Sequence, residues 1–324
     1  MSTAARADGR RVLACASSGG HFKQLVGVVS RLSDIGEVTW LTYDSGLPRD
    51  LLAAAGHRGD RLVLAPYASP RDVPNLLRDA RVAGRLLRER RYDLAVSTGA
   101  GLAVATLPLA RAHGVRSVFI ESATRSDGPS LSGRLLERTP GVELCTQHPG
   151  YGARWRRVGS VHDGFEPGPR RPRRSVRRVV VTLGTIANYG FARLVRRLVE
   201  VLPEDVEVLW QTGATDVRGL GIRGAERIPV PQMMAAMRDA DVVVAHAGTG
   251  SALSAFEAGV RPVLVPRRRV HGEHVDDHQV ATAATLARRD LATHVEADEL
   301  TLGDLVRAAA GTVVRRNEPE RLSL

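Results

Sequence analysis

The feature that most constrains this chain is a secondary-structure pattern that runs twice. From Arg11 onward, short β-branched runs at 12–17, 38–42, 62–65, 93–97 and 117–121 read as strands, with helical segments between them, notably 21–32 and 72–91. Residues 163–176 are rich in Pro, Gly and Arg, lack apolar periodicity and read as a linker. The pattern then restarts, with strands at 178–183, 206–211, 227–230, 241–245 and 262–266. Helices are expected near 189–201, 232–239, 250–258, 276–289 and 298–315. Parallel strands need crossover connections, and helices then cover both faces of the sheet, so each half predicts an α/β doubly wound parallel sheet. The expected organisation is an N-terminal domain over 1–162, the linker 163–176 and a C-terminal domain over 177–324. A ligand is expected between the halves, at the carboxyl ends of the strands.

Composition narrows the function classes. A chain of 324 residues with 43% hydrophobic and 25% charged residues suits two ordinary globular domains. The longest apolar stretch, Ala100 to Ala110, is too short for a bilayer span of about 20 residues. The polar, basic start followed by the short run Val12 to Ala16 does not read as a secretion signal, so the expected location is cytoplasmic, at the inner face of the membrane. Cys15 and Cys145 lie far apart in strand-like runs and read as buried thiols, not as a disulfide framework or a cysteine zinc site. The net charge of +11 comes from arginine, Lys23 being the sole lysine, and suits anionic lipid, phosphate or nucleic acid. The run Arg170-Arg171-Pro172-Arg173-Arg174 raises a nucleic-acid reading, but five Phe, five Tyr and no base-reading module argue against it.

Four strand ends run into glycine and small hydroxyl residues and then into a helix. They are Ser17-Ser18-Gly19-Gly20-His21, Ser97-Thr98-Gly99-Ala100-Gly101, Leu183-Gly184-Thr185 and His246-Ala247-Gly248-Thr249-Gly250-Ser251. Glycine lets backbone approach a ligand, and the N–H groups and dipole of the following helix favour an anion. Each is a candidate phosphate cradle, or a turn that needs glycine for its geometry. None fits the Walker A pattern or the dinucleotide fingerprint, which argues against an NTPase and an NAD enzyme.

The run Pro266 to Gln279 holds three histidines and three acids and invites a metal reading. Its position between a strand and a helix starting near Asp276 predicts that the histidines point different ways. No metal is therefore expected, and Asp277, His278 and Gln279 read as hydrogen-bonding groups for sugar hydroxyls at a helix start. In the segment 72–91, Leu76, Ala80, Ala83 and Leu87 form a stripe beside Arg78, Arg81, Arg85 and Arg88. Such a helix lies on an anionic membrane, or packs its stripe on the sheet as an ordinary surface helix.

These residues carry a resemblance. Ser17 to His21, Glu121-Ser122 with Arg125, Ser130 to Gly133 and Gln147 resemble the acceptor-side subunit of the two-subunit transferase that adds the second N-acetylglucosamine to dolichol-linked chitobiose. Val181 to Thr185, Gln211-Thr212-Gly213, His246 to Ser251, and Val265-Pro266-Arg267 with Gly272 to Gln279 resemble its donor-side subunit and the paired bacterial exopolysaccharide transferases. Over roughly 11 to 310 the chain looks like a single-chain fusion of the two, more distantly similar to the lipid II transferase, in or near glycosyltransferase family 28. Two positions depart from the family pattern: Ser254 stands where a ribose-contacting Glu is common, and Gln24 where a Glu often follows Gly-Gly-His.

The resemblance implies a GT-B fold and inverting transfer of a hexosyl group from a UDP-sugar co-substrate to a lipid-linked or glycan acceptor, with no metal or other cofactor. It places the donor on Gly184, Thr185, Gln211, His246, Gly248, Thr249, Gly250 and Ser251, with Met233 and Met234 by the uracil. It places the acceptor beside Ser18, Gly19, Gly20, Gly99 and Arg125. His21 reads as the general base or as a brace for its loop, and Glu121 as an alternative base, an orienter of His21 or an acceptor ligand. The alternative of another class is a UDP-sugar 2-epimerase of the same architecture.

Overall fold

The computed structural model describes residues 9–67, 72–172, 175–184, 189–318, 321–322 and 324. The chain divides into two compact units, Met1–Val161 with Glu320–Leu324, and His162–Pro319.

The first unit is built on β1 (Arg10–Ala16), β2 (Ile35–Tyr43), β3 (Arg61–Ala65), β4 (Leu94–Gly99), β5 (Arg116–Ile120), β6 (Val142–Thr146) and β7 (Trp155–Arg157). They form one sheet in the order β3-β2-β1-β4-β5-β6-β7, with every pairing parallel. The connecting helices are α1 (Gly20–Val29), α2 (Leu47–Ala54), α3 (Val73–Glu89), α4 (Gly101–Ala112) and α5 (Leu131–Leu136). Central strands read as unbroken apolar runs because both faces are covered: Val12 to Ala16 and Leu94 to Val96 have no solvent exposure. One face packs Leu13, Cys15, Leu41 and Phe119 against Ala83, Leu86 and Leu87 of α3 and Leu102 and Leu107 of α4.

In the second unit, β8 (Phe165–Pro167) precedes β9 (Arg178–Thr182), α6 (Ala192–Val201), β10 (Glu207–Gln211), α7 (Val230–Asp239), β11 (Val242–His246) and α8 (Thr249–Glu257). These are followed by β12 (Val263–Val265), α9 (His278–Arg288), β13 (Thr293–His294), α10 (Leu302–Ala309) and β14 (Val313–Arg315). The main sheet is again parallel, in the order β10-β9-β11-β12-β13. Val179, Val181, Val242, Val244 and Val263 pack against Leu194 and Leu198 of α6 and Leu305 and Ala308 of α10. Two parallel α/β sheets confirm the expected fold class.

Each sheet reverses its strand order at one place, between β1 and β4 in the first and between β9 and β11 in the second. In doubly wound sheets the loops that leave such neighbouring strands in opposite directions open a crevice at their carboxyl ends. All four glycine-bearing turns leave these four strands.

Three expectations need correction. The segment 227–230 is no strand: Pro229 precedes α7, which starts at Val230 with Pro231 in its first turn, where a missing N–H costs nothing. The helix expected over 298–315 is confined to α10, which opens on a Thr301–Asp304 capping box and gives way to β14. β14 pairs antiparallel with β8, so part of the stretch read as a linker is a strand of the second unit.

Candidate functional site

In the first unit, His21 enters as the second residue of α1, directly after the turn from β1. Its Nδ1 lies 2.7 Å from the carbonyl oxygen of Thr98, at the end of β4, and Thr98 Oγ1 donates to the His21 carbonyl at 2.7 Å. A carbonyl can only accept, so Nδ1 carries the proton and Nε2 keeps its lone pair. The His21 ring fills the space beside Gly99: a Cβ there would come 3.0 Å from Nδ1, at a φ of +108° that side chains rarely adopt. Burial, and then the charge of Arg125, lower the His21 pKa against the opposing effect of the Thr98 bond, so the ring is neutral. The start of α1 at Gly19-Gly20 has no side-chain cap, which leaves its N–H groups available.

Glu121 stands after β5 with 1% of its surface exposed. Its Oε1 accepts from the Ser122 N–H at 3.0 Å and its Oε2 from the Ser130 N–H at 2.8 Å. Burial raises its pKa, against these bonds and the charge of Arg125. Both oxygens thus hold the 122–130 loop that carries Arg125. Gln24 is also buried: its Nε2 donates to Ser122 Oγ at 3.0 Å, and its Oε1 accepts from the Ala123 N–H at 2.8 Å and from Gln147 Nε2 at 3.3 Å. A neutral amide can both donate and accept here, which a carboxylate could not do. Ser18 is partly buried in the turn after β1.

In the second unit, the imidazole of His246 ends β11 and is enclosed by two glycines. A Cβ on Gly184, whose φ is +80°, would approach its ring to 2.6 Å, and one on Gly248 to 2.3 Å. Burial foremost, and then the charge of Arg267, pull the His246 pKa down to about 3, so it is a neutral packing and hydrogen-bonding group. Ser251 Oγ lies 3.4 Å from its Nδ1. Helix α8 begins at Thr249 with no side-chain cap, so the amides around Gly250 and Ser251 are available to a ligand. The Thr249 hydroxyl is buried with no hydrogen-bond partner among the described residues. Thr185, expected beside it, lies outside the described residues.

Other expected donor residues have partners within the second unit. Gln211 uses both ends of its amide, donating to Thr182 Oγ1 at 2.9 Å and accepting from the Ile228 N–H at 3.1 Å. Met233 packs with Ile228, Met237 and Val243 in a core cluster, and Met234 is buried on the same helix. Asp277 accepts from the Arg269 N–H at 3.0 Å, and the buried Gln279 accepts from the Arg267 N–H at 3.1 Å, which leaves its NH2 group free to donate. The expectation that the histidines of this run diverge is overturned for two of them. His274 and His278 both face Asp276, with ring centroids 4.7 Å apart, while His271 is exposed.

Arg267 has no assigned part in the motif reading, yet it is the most unusual group in the unit. Its side chain is fully buried, donates from Nη2 to the Leu183 carbonyl and stacks on Phe191 at 5.8 Å. Burial pulls its pKa down to about 10, which leaves it charged at neutral pH behind the Leu183-Gly184 turn. Its place directly after Pro266 at the end of β12, within the Val265-Pro266-Arg267 motif, was its sequence signal.

Residues 178–317 match the glycosyltransferase family 28 C-terminal domain. The chain is 29% identical over 316 residues to the UDP-N-acetylglucosamine–N-acetylmuramyl-(pentapeptide) pyrophosphoryl-undecaprenol N-acetylglucosamine transferase of Halorhodospira halophila, covering 90% of this chain and 86% of the relative. The protein of the same name from Shewanella amazonensis is 28% identical over 355 residues, covering 93% and 94%. Among solved structures, Acinetobacter baumannii MurG superposes with a TM-score of 0.56 at 20% identity, over 92% of this chain and 89% of that one. A UDP-N-acetylglucosamine 2-epimerase superposes equally well, with a TM-score of 0.56 at 12% identity over 97% and 94%, so this architecture alone does not separate transfer from epimerisation. The sequence does: its second unit carries a glycosyltransferase family 28 C-terminal domain and its relatives along most of its length are transferases, so the chain is a glycosyltransferase of GT-B fold.

Proposed function

We propose that this enzyme transfers N-acetylglucosamine, glucuronic acid or a related hexosyl group from a UDP-sugar to a hydroxyl of a lipid-linked glycan, with inversion and without a metal ion. The observation that carries the reading is the pair of neutral, glycine-enclosed imidazoles at the two sheet reversals, His21 in the first unit and His246 in the second. His21 Nε2 accepts the proton of the attacking hydroxyl, while its Nδ1–H stays on Thr98. His21 is preferred to Glu121 because both carboxylate oxygens of Glu121 are held by backbone N–H groups.

On the donor side, the uncapped start of α8, the Thr249 hydroxyl and the Gly184 turn receive the diphosphate, and the charge of Arg267 favours the departing UDP. The neutral His246 fixes the spacing between the two glycine turns. The free amide of Gln279 contacts the sugar.

The acceptor reading draws on the surface of the first unit. Of the stripe on α3, Ala83 and Leu87 pack into the core. The exposed face of the same helix carries Val73 and Leu77, 60% and 55% exposed, beside Arg78, Arg81, Arg85 and Arg88. Leu131 and Leu135 of α5 are also exposed beside Arg134 and Arg138. Apolar side chains ringed by arginine suit an anionic bilayer that carries a lipid-linked acceptor. No helix among the described residues is long and apolar enough to cross a membrane.

The test is incubation with UDP-N-acetylglucosamine, with and without a polyprenyl-diphosphate-linked sugar. UDP release that depends on the acceptor supports transfer. A free epimer formed without acceptor overturns it in favour of epimerisation.

A further inference from the structure

The loop between β12 and α9 alternates two kinds of residue. Glu273, Asp277 and Gln279 turn back on the loop and fix it. The Glu273 carboxylate accepts from the Arg268 N–H at 2.9 Å and from Arg193 Nε and Nη2, each at 3.0 Å, while Asp277 and Gln279 hold the backbone N–H groups of Arg269 and Arg267. The residues between them, His274, Asp276 and His278, converge instead. One nitrogen of each imidazole and one oxygen of Asp276 lie within 4.8 Å of one another. His274 Nδ1 stands 3.3 Å from Asp276 Oδ1, and His278 Nδ1 is hydrogen-bonded to the same oxygen. Tyr189 stacks on His274 at 5.5 Å and 30°, which restrains that ring.

We propose that His274, Asp276 and His278 form a site for a divalent transition-metal ion of the zinc class, held by three protein ligands with a further position open to solvent. Two imidazoles and a carboxylate are the donor set such ions select over magnesium or calcium, which prefer oxygen alone. The separation of His274 Nδ1 from Asp276 Oδ1 matches the edge of a tetrahedron with metal–ligand arms of ~2.0–2.1 Å, about 3.3–3.4 Å. The bracing by Glu273, Asp277 and Gln279 fixes the backbone that presents the ligands, and only the hydrogen-bonded His278–Asp276 side-chain pair has to open to admit the ion. This site does not rest on the proposed function, and no step of that reaction passes through it.

Chelator-treated, desalted full-length protein titrated with Co2+ tests the site, because a low-coordinate Co2+ ion reports itself in visible absorption. One equivalent should bind and be displaced by Zn2+, whereas Mg2+ at the same concentration should not compete. His274→Ala, His278→Ala and Asp276→Asn should each weaken binding at least ~10-fold, and His271→Ala should leave it unchanged. Melting temperatures of the metal-free proteins establish that each variant is folded; Asp276→Asn, which keeps size and shape, carries the test if an alanine variant is not. Absence of stoichiometric Co2+ binding by the wild type, or wild-type affinity in the folded variants, would overturn the proposal.

Discussion

His21 and Thr98 are clasped in both directions: the His21 ring donates to the Thr98 carbonyl, and the Thr98 hydroxyl donates to the His21 carbonyl, each at 2.7 Å. The clasp joins the start of α1 to the end of β4 across the point where the first sheet reverses. It has a chemical result, since a ring held through Nδ1 can present only Nε2 to a reacting hydroxyl. It also has a structural one, since neither residue can shift without moving the other's backbone.

Glu121→Gln should act on the loop. The replacement puts an NH2 group where one oxygen now accepts a backbone N–H from Ser122 or Ser130, leaving that buried donor unsatisfied. A loss of about 1–3 kcal/mol in unfolding free energy is expected, measured by urea denaturation. Acceptor KM should rise as Arg125 loses its fixed loop, while the acidic limb of the rate profile stays in place. If that limb disappeared in a variant of unchanged stability, the proton acceptor would be Glu121.

Chelation should leave turnover nearly unchanged. Uncapped helix starts and the Arg267 charge supply the positive potential for UDP departure in the proposed mechanism. The His274, Asp276, His278 metal site does not conflict with this, because stripping it removes no group on the reaction path. Excess EDTA with a UDP-release assay checks the point, and loss of activity restored by Mn2+ would rule out metal-free departure.

The parts of the site legible in the sequence are those encoded locally. A β-branched run ending in Gly and a small hydroxyl residue marks His21, Gly99, Gly184 and His246 without knowledge of their neighbours. What each residue does depends on partners far along the chain. The Thr98 carbonyl lies 77 positions from His21 and contributes through backbone, which leaves no mark in residue identity. Gln24 gains its meaning from Ser122, 98 positions away, and Arg267 from Leu183, 84 positions away. The convergence of His274 and His278 was hidden for the same reason: the direction of a loop side chain is set by braces such as Arg193 on Glu273, across 80 positions. The false strand at 227–230 shows the opposite failure, where the apolar run Ile228-Pro229-Val230 suggested a strand and two prolines made a helix start.

Acid should weaken the second unit through His246. Its folded pKa of about 3 lies below the reference value of 6.5, so between those values the unfolded chain binds a proton that the folded chain refuses. The sign follows directly: this group's contribution is full above pH 6.5 and is lost as pH falls, by up to about 1.4 kcal/mol per unit. Urea unfolding of wild type and His246→Asn at pH 7.5 and 5.5 measures it. The variant should start less stable, because Gly184 and Gly248 lose the ring between them, but it should lose less on acidification. Equal pH dependence in the two proteins would mean that His246 is protonated in the fold.

The sharpest prediction concerns His21 itself. With Nδ1 held by Thr98 and a pKa lowered by burial and Arg125, His21 is neutral at physiological pH and presents a basic Nε2. His21→Ala should reduce kcat by roughly 10²–10⁴-fold, the usual worth of a general base, with UDP affinity near wild type because the proposed donor residues belong to the other unit. In wild type the rate should fall on the acidic side, since a protonated imidazole cannot accept the hydroxyl proton, and the midpoint of that limb in kcat/KM should lie below the reference value of about 6.5. The limb should vanish in His21→Ala. Thr98→Val supplies the control for a merely structural effect: it removes the hydroxyl half of the clasp but keeps the carbonyl that sets the tautomer. That variant should lose stability by about 1 kcal/mol or somewhat more and retain both most of kcat and the acidic limb. If Thr98→Val and His21→Ala lowered kcat equally and both kept the limb, His21 would be a brace for its loop, and the proton acceptor would have to be sought elsewhere.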